Sequence, residues 1–130
     1  MAFLLDTCVA IDLRDDRNDT ITKITTLSVR PKISAITKVE LEGGVYVDPE
    51  FAVSRRRALD ALLRRLPVVD FSSSMATAYG QIVSQTGFNR RKIIDRMIAA
   101  TAIVHDLTLI TTNGDDFRNI DGLKLEIWNP

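Results

Sequence analysis

"KIIDRMIAATAIVHDLTLITTN", residues 92–113, decides the fold. Ile93, Ile94, Met97, Ile98, Ala99, Ala100, Ala102, Ile103 and Val104 are apolar on nearly every side of a helix, the mark of a buried one. It runs into "LTLITTN", a short apolar strand closed by a turn. A buried helix feeding a buried strand is the repeating unit of a parallel sheet covered on both faces. One acid, Asp95, stands among these apolar residues. With Asn89 as the N-cap, Asp95 lies past the first turn and is not itself a cap. Arg91 and Lys92, at i−4 and i−3, are placed to pair with it, but such a local pair contributes only about 0.2–0.5 kcal/mol. Burying a charge costs several kcal/mol. A buried acid needs a better partner, and a divalent cation is one.

The same alternation extends outward. "AFLLD" is a short apolar strand ending in an acid, and "CVAIDL" after it starts a helix. "PKISAI" is a second buried strand. Thr37 then opens a helix, "KVELEGGVYV", weakened by Gly43 and Gly44. "SRRRALDALLRRL" places Ala58, Leu59, Leu62, Leu63 and Leu66 on one face of an amphipathic helix, which Pro67 ends before a strand in "VVDF". "SSSMATAYGQIVSQTG" is a Ser-started, Gly-ended helix, and "LKLEIW" is the last, edge strand. The expected architecture is α/β, with a mainly parallel sheet of about five strands between helices. No repeat or linker divides the chain, so residues 1–130 read as one domain.

Seventeen basic and seventeen acidic residues cancel, so net charge selects no partner. Nucleic-acid binding would have to come from local basic patches. Cys8 is the one cysteine, which excludes an internal disulfide framework and fits a reducing cytoplasm. The N-terminal "MAFLLDTCVAIDL" lacks a basic leader and is broken by Asp6, unlike a signal peptide. No stretch approaches the roughly 20 apolar residues of a membrane span.

In a parallel α/β sheet, the functional crevice lies beyond the carboxyl ends of the strands. Asp6 ends the first strand, Glu40 follows the second, and Asp115 and Asp116 follow the fourth in "TTNGDDF". Asp95 begins the helix that enters that fourth strand, which puts it at the same edge. Each of the others has a plainer reading as well. Asp6 fits a helix cap. Glu40 completes a capping box with Thr37 in "TKVE". Asp115 and Asp116 follow an Asn-Gly turn, where acids are common. Converging carboxylates repel one another by roughly 1 kcal/mol per pair in water at 4 Å, and by about 4 kcal/mol at an effective dielectric of 20. Shared protons or a cation relieve this. Hard oxygen donors select Mg²⁺ or Mn²⁺ over zinc, and such a site activates water against a phosphodiester. His105, at the far end of its helix, is structural.

"LLDTCVAIDL", "ISAITKVELEGG", "DRMIAATAIVHDLTLITTNGDDF" and the closing "GLKLEIW" resemble, in order and spacing, the PIN-domain proteins, above all the VapC-type ribonuclease toxins of bacterial toxin–antitoxin pairs. The resemblance covers essentially the whole chain. It implies an α/β/α sandwich whose acidic site binds Mg²⁺ or Mn²⁺ and cleaves RNA. Matched by motif, the site acids are Asp6, Glu40, Asp95 and, of the adjacent pair, Asp116. Thr7 and Asn113 match polar positions that support the site. Family members dimerise and are neutralised by a small VapB-like antitoxin, which reaches into the site and tethers the pair to DNA. Cys8 stands where Ser is commoner, Glu42-Gly43 replaces an apolar-aromatic pair, and Asn113 stands where some relatives carry an acid.

Arg90, Arg91 and Lys92, just before Asp95, are candidate RNA contacts. Arg55, Arg56, Arg57, Arg64 and Arg65 on the amphipathic helix are equally a solvated face. Cys8 to Arg14 has the spacing of a tyrosine-phosphatase loop. Its bulky, glycine-free interior and Asp12 would exclude the anion that such a loop cradles. An aspartyl phosphotransferase would carry a second acid where Cys8 stands. A non-catalytic RNA-binding or regulatory module on the same fold is the alternative function, and its sign would be a missing acid.

Overall fold

The computed structural model describes residues 2–129. Five strands, β1 (Phe3–Leu5), β2 (Lys32–Ser34), β3 (Val68–Val69), β4 (Thr108–Thr111) and β5 (Lys124–Ile127), form one sheet. Their spatial order is β3-β2-β1-β4-β5, and every pairing is parallel. β1 lies at the centre, with Leu5 opposite Ile33 on one side and Ile110 on the other. The expected α/β sheet of about five strands, with "LKLEIW" at the edge, is what forms.

The pleat sorts the apolar strand residues to two faces. Phe3, Leu5, Ile33 and Ile110 pack under α1 (Thr7–Arg14), α3 (Ala35–Tyr46) and α4 (Ala52–Arg65), through Val9, Leu13, Leu41, Val45, Leu59 and Leu62. Leu4 and Leu109 face the opposite way, onto α5 (Ser73–Thr86) and α6 (Ile93–Val104), through Met75, Ile82, Ile98 and Ala99. α6 is buried at Ile98, Ala99, Ala100, Thr101 and Ala102, as its all-round apolarity requires. Gly87, at φ +86°, ends α5 in a conformation that only glycine adopts freely.

Of three local expectations, two are corrected and one, the helix through the glycine pair, is kept. α3 starts at Ala35, and its cap lies three residues before Thr37, the expected opening. Ser34 has extended backbone, and its Oγ accepts from the Thr37 amide at 2.9 Å, so Ser34 is the cap. Thr37 is a fully buried first-turn residue, and the Thr37–Glu40 capping box does not form. The same helix runs through Gly43 and Gly44 to Tyr46, because burial of Leu41 and Val45 on either side of the pair offsets roughly 1 kcal/mol of propensity per glycine. Third, Asn89 caps a 3₁₀ turn, Arg90–Lys92, accepting from the Arg91 amide at 3.0 Å. Asp95 therefore stands in the first turn of α6 itself, near the positive end of the helix dipole.

One helix is absent from the expectations. α2 (Asn18–Thr25) has the sequence NDTITKIT, rich in β-branched residues of modest helix propensity. Packing of Ile21 and Ile24 against the core holds it.

Candidate active site

Asp6 leaves the end of β1 and is 6% exposed. Its backbone N–H donates to Ile110 O at 2.9 Å, continuing the sheet ladder one residue past the strand. Its Oδ1 accepts from the Thr7 amide at 2.8 Å, and its Oδ2 accepts from Thr111 Oγ1 at 2.7 Å. Cys8 Sγ donates weakly to the same Oδ2 at 3.4 Å. Asp6 thus occupies the N-cap position of α1 and also faces the strand ends. The two readings of this residue are compatible.

Glu40 follows β2 by way of α3. Thr7 Oγ1 donates to Glu40 Oε1 at 2.6 Å and lies 3.0 Å from Thr37 Oγ1, which accepts from Ser34 Oγ at 3.3 Å. Ser34 and Thr37 are fully buried. A single direction satisfies the chain: Ser34 donates to Thr37, Thr37 to Thr7, and Thr7 to Glu40. Thr7, chosen as a supporting residue, therefore touches both acids of this half of the site, through its amide and its hydroxyl.

Asp116 lies in a 3₁₀ turn, Gly114–Phe117, after β4. Lys92 Nζ sits 2.8 Å from its Oδ1, and Asn113 Nδ2 donates to its Oδ2. Asp115 points away, 77% exposed and paired with Arg118 at 2.7 Å. Of the two adjacent acids, only Asp116 turns inward.

Asp95 has no hydrogen-bond donor among the described residues. Its carboxyl is pushed up to about 6, chiefly by burial, then by the negative charges of Asp116, Asp6 and Glu40, against a lowering by Lys92. Asp95 therefore feels the charges of the other three acids at the carboxyl edge of the sheet. Neither Arg91 nor Lys92 forms an ion pair with Asp95; Lys92 is taken by Asp116. Arg90 and Arg91 are exposed on the turn just before the site.

Two hydroxyls were not read from the sequence as part of the site, although Thr37 was read as a helix cap. Thr111, fully buried, donates to Asp6 and accepts from the Asn113 amide at 3.0 Å, so it joins the first acid to the turn that carries the last. Thr37 is the other. The only signal for Thr111 is its place at the end of an apolar strand adjoining Asp6. Cys8 has its thiol pushed up by burial above all, so it stays a neutral thiol rather than a reactive thiolate. Thr112 Oγ1 donates to its Sγ at 3.2 Å. On α4, Arg56 is committed to Glu42 at 2.6 Å and Asp60 at 2.8 Å, while Arg55 stacks on Phe51. For these two the solvated-face reading holds. His105 is exposed at the far end of α6.

Among the described residues, no three His, Cys, Asp or Glu side chains are placed closely enough to hold a metal ion together. The chemistry of the four acids is nevertheless that of a hard-cation site. The donor set is all hard oxygen and carries excess negative charge, and the ammonium of Lys92 already serves one of its carboxylates as a cation.

Compared with known proteins, the PIN domain pattern matches residues 3–123. The chain is 32% identical, over 99% of both sequences, to "Ribonuclease VapC2" of Rickettsia felis. It is 30% identical, over 98% of both, to "tRNA(fMet)-specific endonuclease VapC" of Salmonella typhimurium. Among solved structures, VapBC2 from Rickettsia felis bound to a DNA fragment from their promoter superposes with a TM-score of 0.87 at 28% identity, covering 99% of this chain and 100% of that one. DNA-bound VapBC from Salmonella typhimurium gives 0.83 at 26% identity, with 98% of each chain covered. The chain belongs to the PIN-domain family, in its VapC branch.

Proposed function

We propose that this protein is a metal-dependent endoribonuclease that cleaves structured RNA and is held in check by a small VapB-like antitoxin. The observation that carries the reading is Asp95: an acid without a donor among the described residues, pushed up to about 6 by burial and three other acids at the same sheet edge. Such a field favours a cation. Asp6 and Asp95 would hold the principal Mg²⁺ or Mn²⁺, with Glu40 and Asp116 completing the shell. A bound divalent ion supplies Lewis acidity, activating a water for in-line attack and steadying charge on the phosphoryl oxygen.

The protein's part is to hold the ligands still. Thr7 and Thr111 fix the two Asp6 oxygens, and the Ser34–Thr37–Thr7 chain fixes one oxygen of Glu40. Asn113 steers Asp116. Arg90 and Arg91 flank the acids where a phosphate backbone would approach, and RNA contact is their role in this reading. Relatives crystallised as VapBC complexes on DNA support the antitoxin partner; in this reading DNA is reached only through that antitoxin. A homodimer completes the expected assembly.

The test is purified protein, free of antitoxin, incubated with total cellular RNA in Mg²⁺, Mn²⁺ or EDTA, beside Asp95→Asn. Discrete cuts that need metal are expected, with a loss of at least about a hundredfold in the variant, since several kcal/mol of transition-state stabilisation is at stake. Cleavage equal in Asp95→Asn and wild type would overturn the scheme.

A further inference from the structure

Asp116 and Asp95 stand in opposite situations. Both oxygens of Asp116 are occupied, one by the Lys92 ammonium at 2.8 Å and the other by Asn113, whereas Asp95 has no donor among the described residues. Lys92 comes from the 3₁₀ turn that leads into α6, and its side chain is only 28% exposed. It therefore reaches Asp116 across the mouth of the site instead of pointing to solvent like Arg90 and Arg91. Beyond the pair opens a polar cleft of about 490 Å³, lined by Gln85, Arg96, Asp115 and Arg118 together with Lys92 and Asp116. A lysine side chain has room there to swing away from the carboxylate.

We infer that Lys92 is an internal counter-ion that competes with the divalent cation for Asp116. It neutralises part of the acidic site when no metal is bound, and metal entry displaces it into the adjoining cleft. This rests on the reading of Asp116 as a ligand. The sign of each consequence follows from charge alone. With Lys92 in place, a divalent ion must break a 2.8 Å ion pair and approach a nearby positive charge. Without Lys92, the metal-free site holds four acids and one cation fewer, so the empty fold loses stability while the cation binds more tightly. Loss of a lysine that only braced the fold would lower stability and leave metal affinity unchanged or weaker. Opposite movement of the two quantities distinguishes a competitor from a brace.

The experiment is calorimetric titration of Mn²⁺ into the antitoxin-free protein, paired with thermal melts in EDTA, for wild type, Lys92→Gln and Lys92→Arg. Lys92→Gln should bind Mn²⁺ about tenfold more tightly and melt lower in EDTA, while Lys92→Arg, which keeps the charge, should stay near wild type in both. In an Asp116→Asn background, most of the gain from Lys92→Gln should vanish, because the contested carboxylate is gone. Equal or weaker Mn²⁺ affinity in Lys92→Gln, with wild type still binding, would overturn the counter-ion role and leave the metal site standing. Failure of wild type and both Lys92 variants to bind Mn²⁺ would overturn the metal reading itself, and this inference with it.

Discussion

The two halves of the acidic edge are built on different principles. Asp6 and Glu40 sit against α1 and α3 and are held by neutral donors: an amide and the hydroxyls of Thr7 and Thr111. Asp95 and Asp116, against α6 and the turn after β4, are governed by charge. One is pushed up by burial first and then by its negative neighbours, and the other is tied to Lys92. Neutral donors fix geometry without changing the charge of the site, and because Ser34, Thr37 and Thr111 are fully buried that geometry is available before any ligand arrives. A lysine cancels charge, and leaving Asp116 costs less than breaking a buried network, since the pair is partly exposed. One half is a rigid seat and the other is adjustable.

The largest expected effect breaks this comparison directly. Asp6→Asn removes a charged ligand from the rigid half and leaves one side-chain oxygen where Thr7 and Thr111 now find two. RNA cleavage in saturating Mn²⁺ should fall at least about a hundredfold. Asp116→Asn removes a ligand from the adjustable half, where a carboxylate already shares its oxygens with Lys92 and Asn113. The loss there should be nearer about tenfold, and excess Mn²⁺ should recover part of it. Equal losses measured on one RNA, without rescue for Asp116→Asn, would show that both halves are equally indispensable.

A smaller effect probes what makes the seat rigid. Thr37→Val keeps the volume but deletes the hydroxyl between Ser34 and Thr7, and Thr111→Val strips a donor from the buried Oδ2 of Asp6. Each should lower unfolding stability by about 1–3 kcal/mol in urea titrations, the cost of a buried polar group left without its partner. Thr111→Val should lose more, because a hydrogen bond to a charged group is worth roughly twice a neutral one. If both variants melted like wild type, the hydroxyls would be spectators and the rigidity would come from apolar packing alone.

How far these features are legible in the sequence depends on the range of the interaction. Helices and strands follow local period, so α4, α5, α6 and the strand "LTLITTN" are readable from their own residues. α2 keeps a helical period too, but its β-branched residues have modest helix propensity and hide it, and tertiary contacts of Ile21 and Ile24 hold it. Ser34 and Thr37 are both sound caps by chemistry. The choice between them is made by where β2 ends, so the start of α3 and the freedom of Glu40 from a capping box needed the fold. The acids that converge are visible as types at strand ends, since topology alone brings strand ends to one edge. Their partners are not visible. Thr111 meets Asp6 only because β1 and β4 are neighbours in parallel register, and Lys92 looks in sequence like a partner for Asp95, three residues on. It reaches Asp116 instead, 24 residues away.

The smallest expected effect concerns the proton on Asp95, and its sign follows from linkage. The ordinary value for such a carboxyl is 3.8, and in the fold it is pushed up to about 6. Below 3.8 the folded and unfolded chains both hold this proton, so Asp95 contributes no pH dependence. Between 3.8 and about 6 the folded protein retains a proton that the unfolded chain has released, so raising the pH favours unfolding. Above about 6 the charged carboxylate is present in the fold, and the penalty is complete. In EDTA, the urea midpoint of wild type minus that of Asp95→Asn should therefore fall as pH rises from 4 to 6.5, then level off. Solvent reaching this half-buried group keeps the fall modest. Mn²⁺ should erase it, because cation binding favours the deprotonated form and releases the proton. A flat difference in EDTA would mean that Asp95 already shares its burial with solvent. The adjustable half would then owe its mobility to Lys92 alone.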